Sequence, residues 1–248
     1  MNWHLPANVH ACCTTRVGGE SLTPFDSLNL GDHVGDNPHA VKANRLRLQA
    51  QLGVARPVFL QQVHGVDVLH MDADTPDGSV ADACITDQFG LACTIMVADC
   101  LPVLLTDFSG RVVAAAHAGW RGLVAGVLEN TLTALCQRAG VEPTEILVWL
   151  GPCIGSSAFE VGPEVHEAFN AHDPSSTVFF KPHAQRADKW WADLSGLARQ
   201  RLVALGVTQI SGNDGSARWC TVHQRSEFFS YRRDGVTGRF AACIWLSR

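Results

Sequence analysis

"TIMVADCLPVLLTDFSGRVVAAAHAGWRG", residues 94–122, decides how the chain folds. Ile95, Met96, Val97, Leu101, Val103, Leu104, Leu105, Val112 and Val113 demand burial. The tract turns at "TDFSG" (106–110), where Asp and Gly stand at the first and fourth positions of a type I turn. Two buried strands joined by a hairpin follow from this pattern. Asp99, Cys100 and His117 sit inside the same apolar run, with Arg121 just beyond it. An unpaired ionised carboxylate is prohibitive to bury, and even a neutral polar group without a partner costs about 2–7 kcal/mol. These side chains therefore need partners.

The same turn occurs earlier as "TDQFG" (86–90), so a repeated hairpin is expected among "ADACI", "LACTIMV", "LPVLL" and "RVVAAAHA". If the second hairpin closes on two central residues, Cys100 stands directly opposite His117, with Cβ atoms about 4.5–5.5 Å apart. A glycine bulge would shift the register by one and send the two to opposite faces. Pro102 suggests a strand break near Cys100.

Outward from this tract, "VHACCTTRV" (9–17) reads as a strand and "GGESLTPFDSLNLGDHVGDNP" (18–38) as a long loop of the kind that often carries function. "PHAVKANRLRLQAQLG" (38–53) reads as a helix with Val41, Leu46 and Leu48 as apolar positions, Pro38 in its first turn and Gly53 as its stop. "RPVFLQQVHGVDVLHM" (56–71) is a strand pair or one long bent strand. After "AHAGWRG", a single helix is expected through "LVAGVLENTLTALCQRAG", with Leu123, Val127, Leu128, Leu132, Leu135 and Cys136 as its stripe. "EILVWLGP" is a buried strand, "GPEVHEAFNAH" and "DLSGLARQRLVALGV" are helices, and "FAACIWL" is the final strand. Mixed helices and strands with antiparallel neighbours predict an α+β fold with mixed sheets. No linker interrupts residues 1–248, so a single domain is expected.

Composition narrows the function. Net charge is −5 and no basic tract exceeds "YRRD", which argues against a nucleic-acid partner. No apolar run is long enough for a membrane span, and "MNWHLPANVH" lacks the pattern of a signal peptide. Nine irregularly spaced cysteines without C-x-x-C read as free thiols in a reducing cytoplasm. A monomer is the default expectation.

His64, in "QQVHG", joins Cys100 and His117 as a candidate, because it ends an apolar strand before a glycine. Two chemistries fit these residues. Two His and one Cys can hold zinc with one position open, as catalytic zinc sites do. Alternatively, Cys100 is a nucleophile activated by His117. H-E-x-x-H, H-x-H and the deaminase H-x-E with P-C-x-x-C are absent. Asp99 is either an outer-shell partner of a ligand or a turn-former. Arg121, at the start of the helix after "GWRG", is an anion-site candidate or a surface cap. "SYRRDGVTGR" (230–239) supplies further guanidinium groups or a solvated turn.

The motifs "TTRVGGES", "SLNLGDHVGDN", "NR" (Asn44-Arg45), "QQVHG", "DACITD", "VADCLPVLLTD", "AAHAGWRG", "GPCIGSSAFEVG", "CT" (Cys220-Thr221) and "FFSYRRDGVTGR" follow one another over nearly the whole chain. Together they resemble the YfiH family, also called the laccase-domain, multicopper polyphenol oxidase or peptidoglycan-editing-factor family. Phe159 stands where that family often has Tyr. The resemblance implies a layered α/β/β/α fold shared with certain bacterial toxin deamidases, and a metal site at His64, Cys100 and His117. It implies zinc-dependent phosphorolysis of adenosine and inosine, with methylthioadenosine cleavage and adenosine deaminase activity attributed to the family as well. Phosphate and purine nucleosides are the expected partners. Arg121 is the expected phosphate contact, with Arg45 and Asn29 as further substrate contacts.

The oxidase name fits the residues poorly. A multicopper enzyme wants around ten His ligands and usually an axial Met. Here 11 His are scattered and there are only three Met. One His–Cys–His site could nonetheless take copper, whose affinity for such ligands exceeds that of zinc. A Cys–His hydrolase and a factor that edits peptidoglycan precursors stand as alternatives.

Overall fold

The computed structural model describes residues 3–248; Met1 and Asn2, which open the stretch read above for a signal peptide, lie outside the described residues. In chain order the elements are β1 (Val9–Cys13), α1 (Pro38–Leu52), β2 (Arg56–Phe59), β3 (Val68–His70), β4 (Ala83–Thr86), β5 (Leu91–Val97), β6 (Leu101–Asp107) and β7 (Val113–Ala118). Then come α2 (Trp120–Ala125), α3 (Val127–Ala139), β8 (Ile146–Leu150), β9 (Glu160–Val161), α4 (Pro163–His172), β10 (Phe180–Pro182) and β11 (Trp190–Ala192). The chain finishes with α5 (Leu194–Ala204), β12 (Gln209–Gly212), α6 (Tyr231–Asp234) and β13 (Phe240–Leu246).

Two mixed, largely antiparallel sheets form the centre. One has four strands in the order β1-β13-β5-β2, the other six in the order β12-β8-β6-β7-β4-β3. Only β2–β5, β3–β4 and β8–β12 are parallel pairs in them. Strands β5, β6 and β7 are buried along their whole length, which explains their near-continuous apolar composition. Alternate side chains serve different layers. Cys93, Ile95 and Ile244 of the smaller sheet meet Leu104, Ala115 and Trp149 of the larger one between the sheets. Val103, Leu105 and Ala116 face outward onto Leu128 and Leu132 of α3, Phe169 of α4 and Leu197 of α5. On the far side, Met96, Ala241 and Cys243 pack on Leu48 and Leu52 of α1. The result is an α/β/β/α stack, the expected α+β architecture.

Several local expectations are corrected. "TDQFG" is not a hairpin turn, because β4 and β5 lie in different sheets and the segment carries the chain between them. β2 and β3 likewise belong to different sheets. The second turn does join a hairpin, but Pro102 faces His117 and Leu101 faces Ala118. The buried Asp107 carboxylate accepts the backbone N–H groups of Ser109, Arg111 and Val112, so the ladder closes only at Thr106–Val113. The register thus moves by two residues from the expected one. An even shift keeps every side chain on its face, and Cys100 packs with His117's side of the hairpin at the margin of the inter-sheet core.

The long helix after "GWRG" is broken at Gly126, whose φ of 106° is open to glycine without strain. Cys136 is only half-buried. In α1, Leu46 points to solvent and the buried position falls on Asn44 instead. Asn44 Nδ2 donates to Ser21 Oγ and to the carbonyls of Ser27 and Asn29, and its Oδ1 accepts from the Glu20 N–H. That polar plug fastens the long loop between β1 and α1 to the helix.

Candidate metal centre

The donor atoms of His64, Cys100 and His117 all lie within 4.8 Å of one another. His117 comes from β7. Cys100 precedes β6 in the bend that brings the chain from one sheet to the other, and His64 sits on the loop between β2 and β3. The three therefore meet where two inter-sheet crossings pass the end of a strand. The His64 and His117 rings stand 4.7 Å apart at 73°, and Cys100 Sγ lies 3.8 Å from His64 Nε2.

Asp82, fully buried just before β4, organises this cluster. Its Oδ1 accepts from His117 Nδ1 at 2.8 Å and from the His64 backbone N–H at 2.8 Å. Its Oδ2 accepts from the N–H groups of Val63 at 3.1 Å and Gly65 at 2.7 Å. One carboxylate thus orients one imidazole and holds the left-handed turn (φ 61° at His64) that presents the other. A carboxylate accepts only, so His117 Nδ1 carries its proton and Nε2 is free to face the cluster. The Gln62 side chain pins the same loop to β5 through the Met96 N–H and carbonyl.

Asp99 does something else. Its Oδ1 accepts from Thr221 Oγ1 at 2.5 Å and its Oδ2 from the Arg232 N–H at 2.6 Å. With φ of 96° it shapes the bend ahead of Cys100 and touches neither imidazole. Of the two readings the sequence leaves open for Asp99, the geometry matches the turn-former; the carboxylate hydrogen-bonded to a ligand candidate is Asp82. The signal was present in "DACITD", an Asp that opens a strand buried throughout.

Close backbone approach completes the cluster. A Cβ on Gly119 would stand 2.9 Å from His64 Cδ2 and 3.0 Å from Cys100 Sγ, and one on Gly122 would stand 2.8 Å from the Gly65 carbonyl. The glycines of "AGWRG" thus let α2 lie directly on the His64 loop.

Electrostatics follow from this packing. Burial pushes the Cys100 thiol up, but the charge of His117 and hydrogen bonds from both imidazoles together outweigh it, and the thiol is lowered to about 6. Burial likewise opposes the charged form of His117, yet Cys100 and Asp82 raise it to about 9. Asp82 is held below the usual carboxylate range against its own burial by His117 and the loop N–H groups.

The cluster forms one wall of a cleft of about 520 Å³, bounded on its apolar side by Met96, Trp120, Ile154 and Phe159 and on its polar side by His33, Tyr231, Arg232 and Arg239. A wider depression of about 940 Å³ around Arg16, Asp26, Arg233 and Asp234 contains none of the three donors. There Arg16 and Arg233 are already tied to Asp26 and Asp234.

The remaining predicted contacts do not line the cleft. Arg121 is exposed and lies over the Trp120 ring at 4.4 Å. Arg45 covers Phe59 at 4.0 Å, donates to the Leu30 carbonyl and pairs with Asp32 at 3.1 Å. Asn29 is buried, and its Oδ1 accepts from the N–H groups of Gly31 and Arg239. Arg239, by contrast, reaches the cleft.

Residues 10–247 match the family model described as multi-copper polyphenol oxidoreductase laccase. The chain is 51% identical over 245 residues to "Purine nucleoside phosphorylase YfiH" of Escherichia coli K12, covering 98% of this chain and 96% of that protein. The chain belongs to the YfiH family. A second family member, "Purine nucleoside phosphorylase PA4543" of Pseudomonas aeruginosa, is 52% identical over 245 residues, covering 99% of this chain and 96% of its own length. Among solved structures, the Neisseria meningitidis protein NMB0706 superposes with a TM-score of 0.92 at 46% identity, covering 100% of this chain and 98% of that one. YlmD from Geobacillus stearothermophilus gives 0.89 at 32% identity, covering 98% and 93%. The YfiH-family fold is thus the one described above. No helix among the described residues is long and apolar enough to cross a membrane.

Proposed function

We propose that the protein is a metal-dependent purine nucleoside phosphorylase that converts adenosine or inosine and phosphate to free base and ribose 1-phosphate. The observation that carries this reading is the convergence of His64, Cys100 and His117 at the wall of a cleft whose size suits a small ligand. The names of relatives about half identical in sequence support the reaction class. Two imidazoles, a thiol already biased to thiolate and an outer carboxylate on one imidazole are a fitting donor set for zinc. When bound, the ion supplies a fixed positive charge and Lewis acidity at the cleft wall.

The chain's own residues do the rest. Asp82 keeps the His117 proton on Nδ1, fixes that ring and holds the backbone turn that presents His64. Met96, Trp120 and Phe159 offer flat or soft apolar surface to a purine. Adenosine deaminase activity and methylthioadenosine cleavage belong to the same proposal, as does a monomeric, cytoplasmic enzyme acting as one domain over residues 1–248. The free state of all nine cysteines supports the cytoplasmic assignment.

The family-model description favours a second reading, a copper-loaded polyphenol oxidase. Against a multicopper site, His64, Cys100 and His117 are the one group of three or more metal-donor side chains found among the described residues. The lowered Cys100 thiol keeps a third reading in play, a Cys–His hydrolase or peptidoglycan-precursor editing enzyme.

Elemental analysis of the purified protein, followed by separation of products from adenosine with phosphate, tests all three. Adenine plus ribose 1-phosphate with stoichiometric zinc is the expected result. Inosine alone reports deamination without phosphorolysis. Oxidation of a phenol by copper-loaded protein alone, or a covalent acyl adduct on Cys100, with no nucleoside product, overturns the proposal.

A further inference from the structure

The cleft carries positive charge that the metal donors do not explain. Arg239, the residue before β13, is half-buried in its wall. Its Nη1 donates to the carbonyls of Thr237 and Gly238, both at 3.1 Å. Its Nε and Nη2 find no hydrogen-bond partner among the described residues, and no carboxylate pairs with it there. Arg232 lines the same cleft. Its Nη1 donates to the Glu160 carbonyl at 2.9 Å, its guanidinium lies 5.6 Å from the Phe159 ring centroid, and it too lacks an acidic partner among the described residues. The acidic side chain that lines the cleft, Asp99, is already engaged by Thr221 and the Arg232 N–H, and the Glu160 carboxylate is taken by His183 and Arg186.

Placing a guanidinium partly out of water without a counter-charge is costly. The chain nevertheless holds Arg239 firmly. Asn29 Oδ1 accepts its backbone N–H at 2.8 Å and that of Gly31 at 2.9 Å. A Cβ on Gly31 would stand 2.8 Å from Arg239 Cγ, so the 29–31 turn is moulded around the stem of this side chain. Such preorganised, unfilled donors suit a ligand that brings the missing negative charge. A guanidinium fork matches two oxygens of a phosphoryl group.

We propose that Arg239, assisted by Arg232, seats the inorganic phosphate co-substrate. This deepens the phosphorylase reading and rests on it for the identity of the anion. It also moves the phosphate contact from Arg121, which faces solvent, to a residue inside the cleft.

Equilibrium binding of radiolabelled inorganic phosphate to the zinc-loaded full chain tests the assignment, with AMP as a second probe. Arg239→Gln should keep wild-type zinc content and bind phosphate about 10- to 100-fold more weakly, the loss expected for charge-assisted hydrogen bonds. In turnover, KM for phosphate should rise while KM for adenosine stays within about twofold, since only the anion contact is lost. Wild-type phosphate affinity in a zinc-replete Arg239→Gln variant overturns the proposal. So does a wild-type protein that binds no phosphate, or a dependence on Arg239 that appears for AMP but not for phosphate. Should the Gln variant not fold, Arg239→Met decides, because it keeps an unbranched stem against Gly31 and removes the charge; unchanged phosphate affinity there has the same adverse meaning. Phosphate binding involves no nucleoside, so its outcome is separate from whether the wild type cleaves adenosine.

Discussion

Asp82 and His117, 35 residues apart in sequence, meet through a 2.8 Å hydrogen bond between the start of β4 and the end of β7, neighbouring interior strands of the larger sheet. The same Asp82 carboxylate also accepts three consecutive N–H groups around His64. One acidic side chain thereby sets the geometry of two of the three donors.

Asp82→Asn should lower zinc affinity about 10- to 100-fold, the usual cost of losing an outer-shell partner. Competition against a chromophoric chelator measures it. Asp99→Asn is the contrast. Its contacts are to Thr221 and Arg232, so folding stability should fall by about 1–3 kcal/mol while zinc affinity holds. The reverse pattern in the two variants would show that Asp99, not Asp82, supports the metal.

Cys100→Ala and His117→Ala should each remove bound zinc and adenosine turnover together while circular dichroism stays native. Cys100 packs against the margin of the inter-sheet cluster and His117 is buried at the end of β7 beside Asp82, so each variant loses some stability while the two sheets keep their apolar contacts. If both variants retain full turnover with no bound metal, the donor assignment fails.

The metal-free protein should show an unusual alkylation profile. Cys100 is lowered to about 6 from an ordinary value of 9.0, and His117 is raised to about 9 from 6.5. The thiolate–imidazolium pair is therefore intact between those limits. As pH falls through about 6 the thiolate is protonated, and the stability it contributes is lost. As pH rises through about 9 His117 loses its proton, and its contribution goes instead. The iodoacetamide rate at Cys100 should be nearly flat between about pH 7 and pH 8.5 and should drop below about pH 6. A rate that climbs tenfold per unit through pH 8 would indicate an ordinary thiol. Zinc should protect Cys100 from the reagent.

Gly119→Ala tests the packing of α2 on the donors. The backbone there is ordinary (φ −69°), so the effect comes from the added methyl alone, which meets His64 Cδ2 at 2.9 Å and Cys100 Sγ at 3.0 Å. Zinc affinity should fall at least about tenfold with a modest stability loss of about 1–3 kcal/mol, typical of overpacking. Isothermal titration with zinc and thermal unfolding separate the two effects.

Much of the fold was legible because burial leaves a periodic trace. The strands in 91–118, the helix ends at Pro38 and Gly53, and the α/β mixture all follow from residue type and spacing. The assignment of strands to sheets did not, because Leu91–Val97 and Leu101–Asp107 are equally apolar and both faces of each are covered. Nothing local says that one pairs with β2 and β13 and the other with β7 and β8. The hairpin register was missed by two residues because the buried Asp107 captures three N–H groups of the turn, a contact that a turn template does not contain.

The residue types at the site had the same limit. By itself the sequence determined that His64, Cys100 and His117 are chemically able to share a cation, since donor atoms and their place beside apolar strands are properties of the chain. Only the tertiary structure decided which carboxylate serves them and which guanidinium enters the cleft. Asp82 reaches His117 across 35 residues, and Arg239 is set by Asn29 across 210. Hydrogen bonds between such distant positions arise from how the two sheets stack, and local spacing carries no record of that.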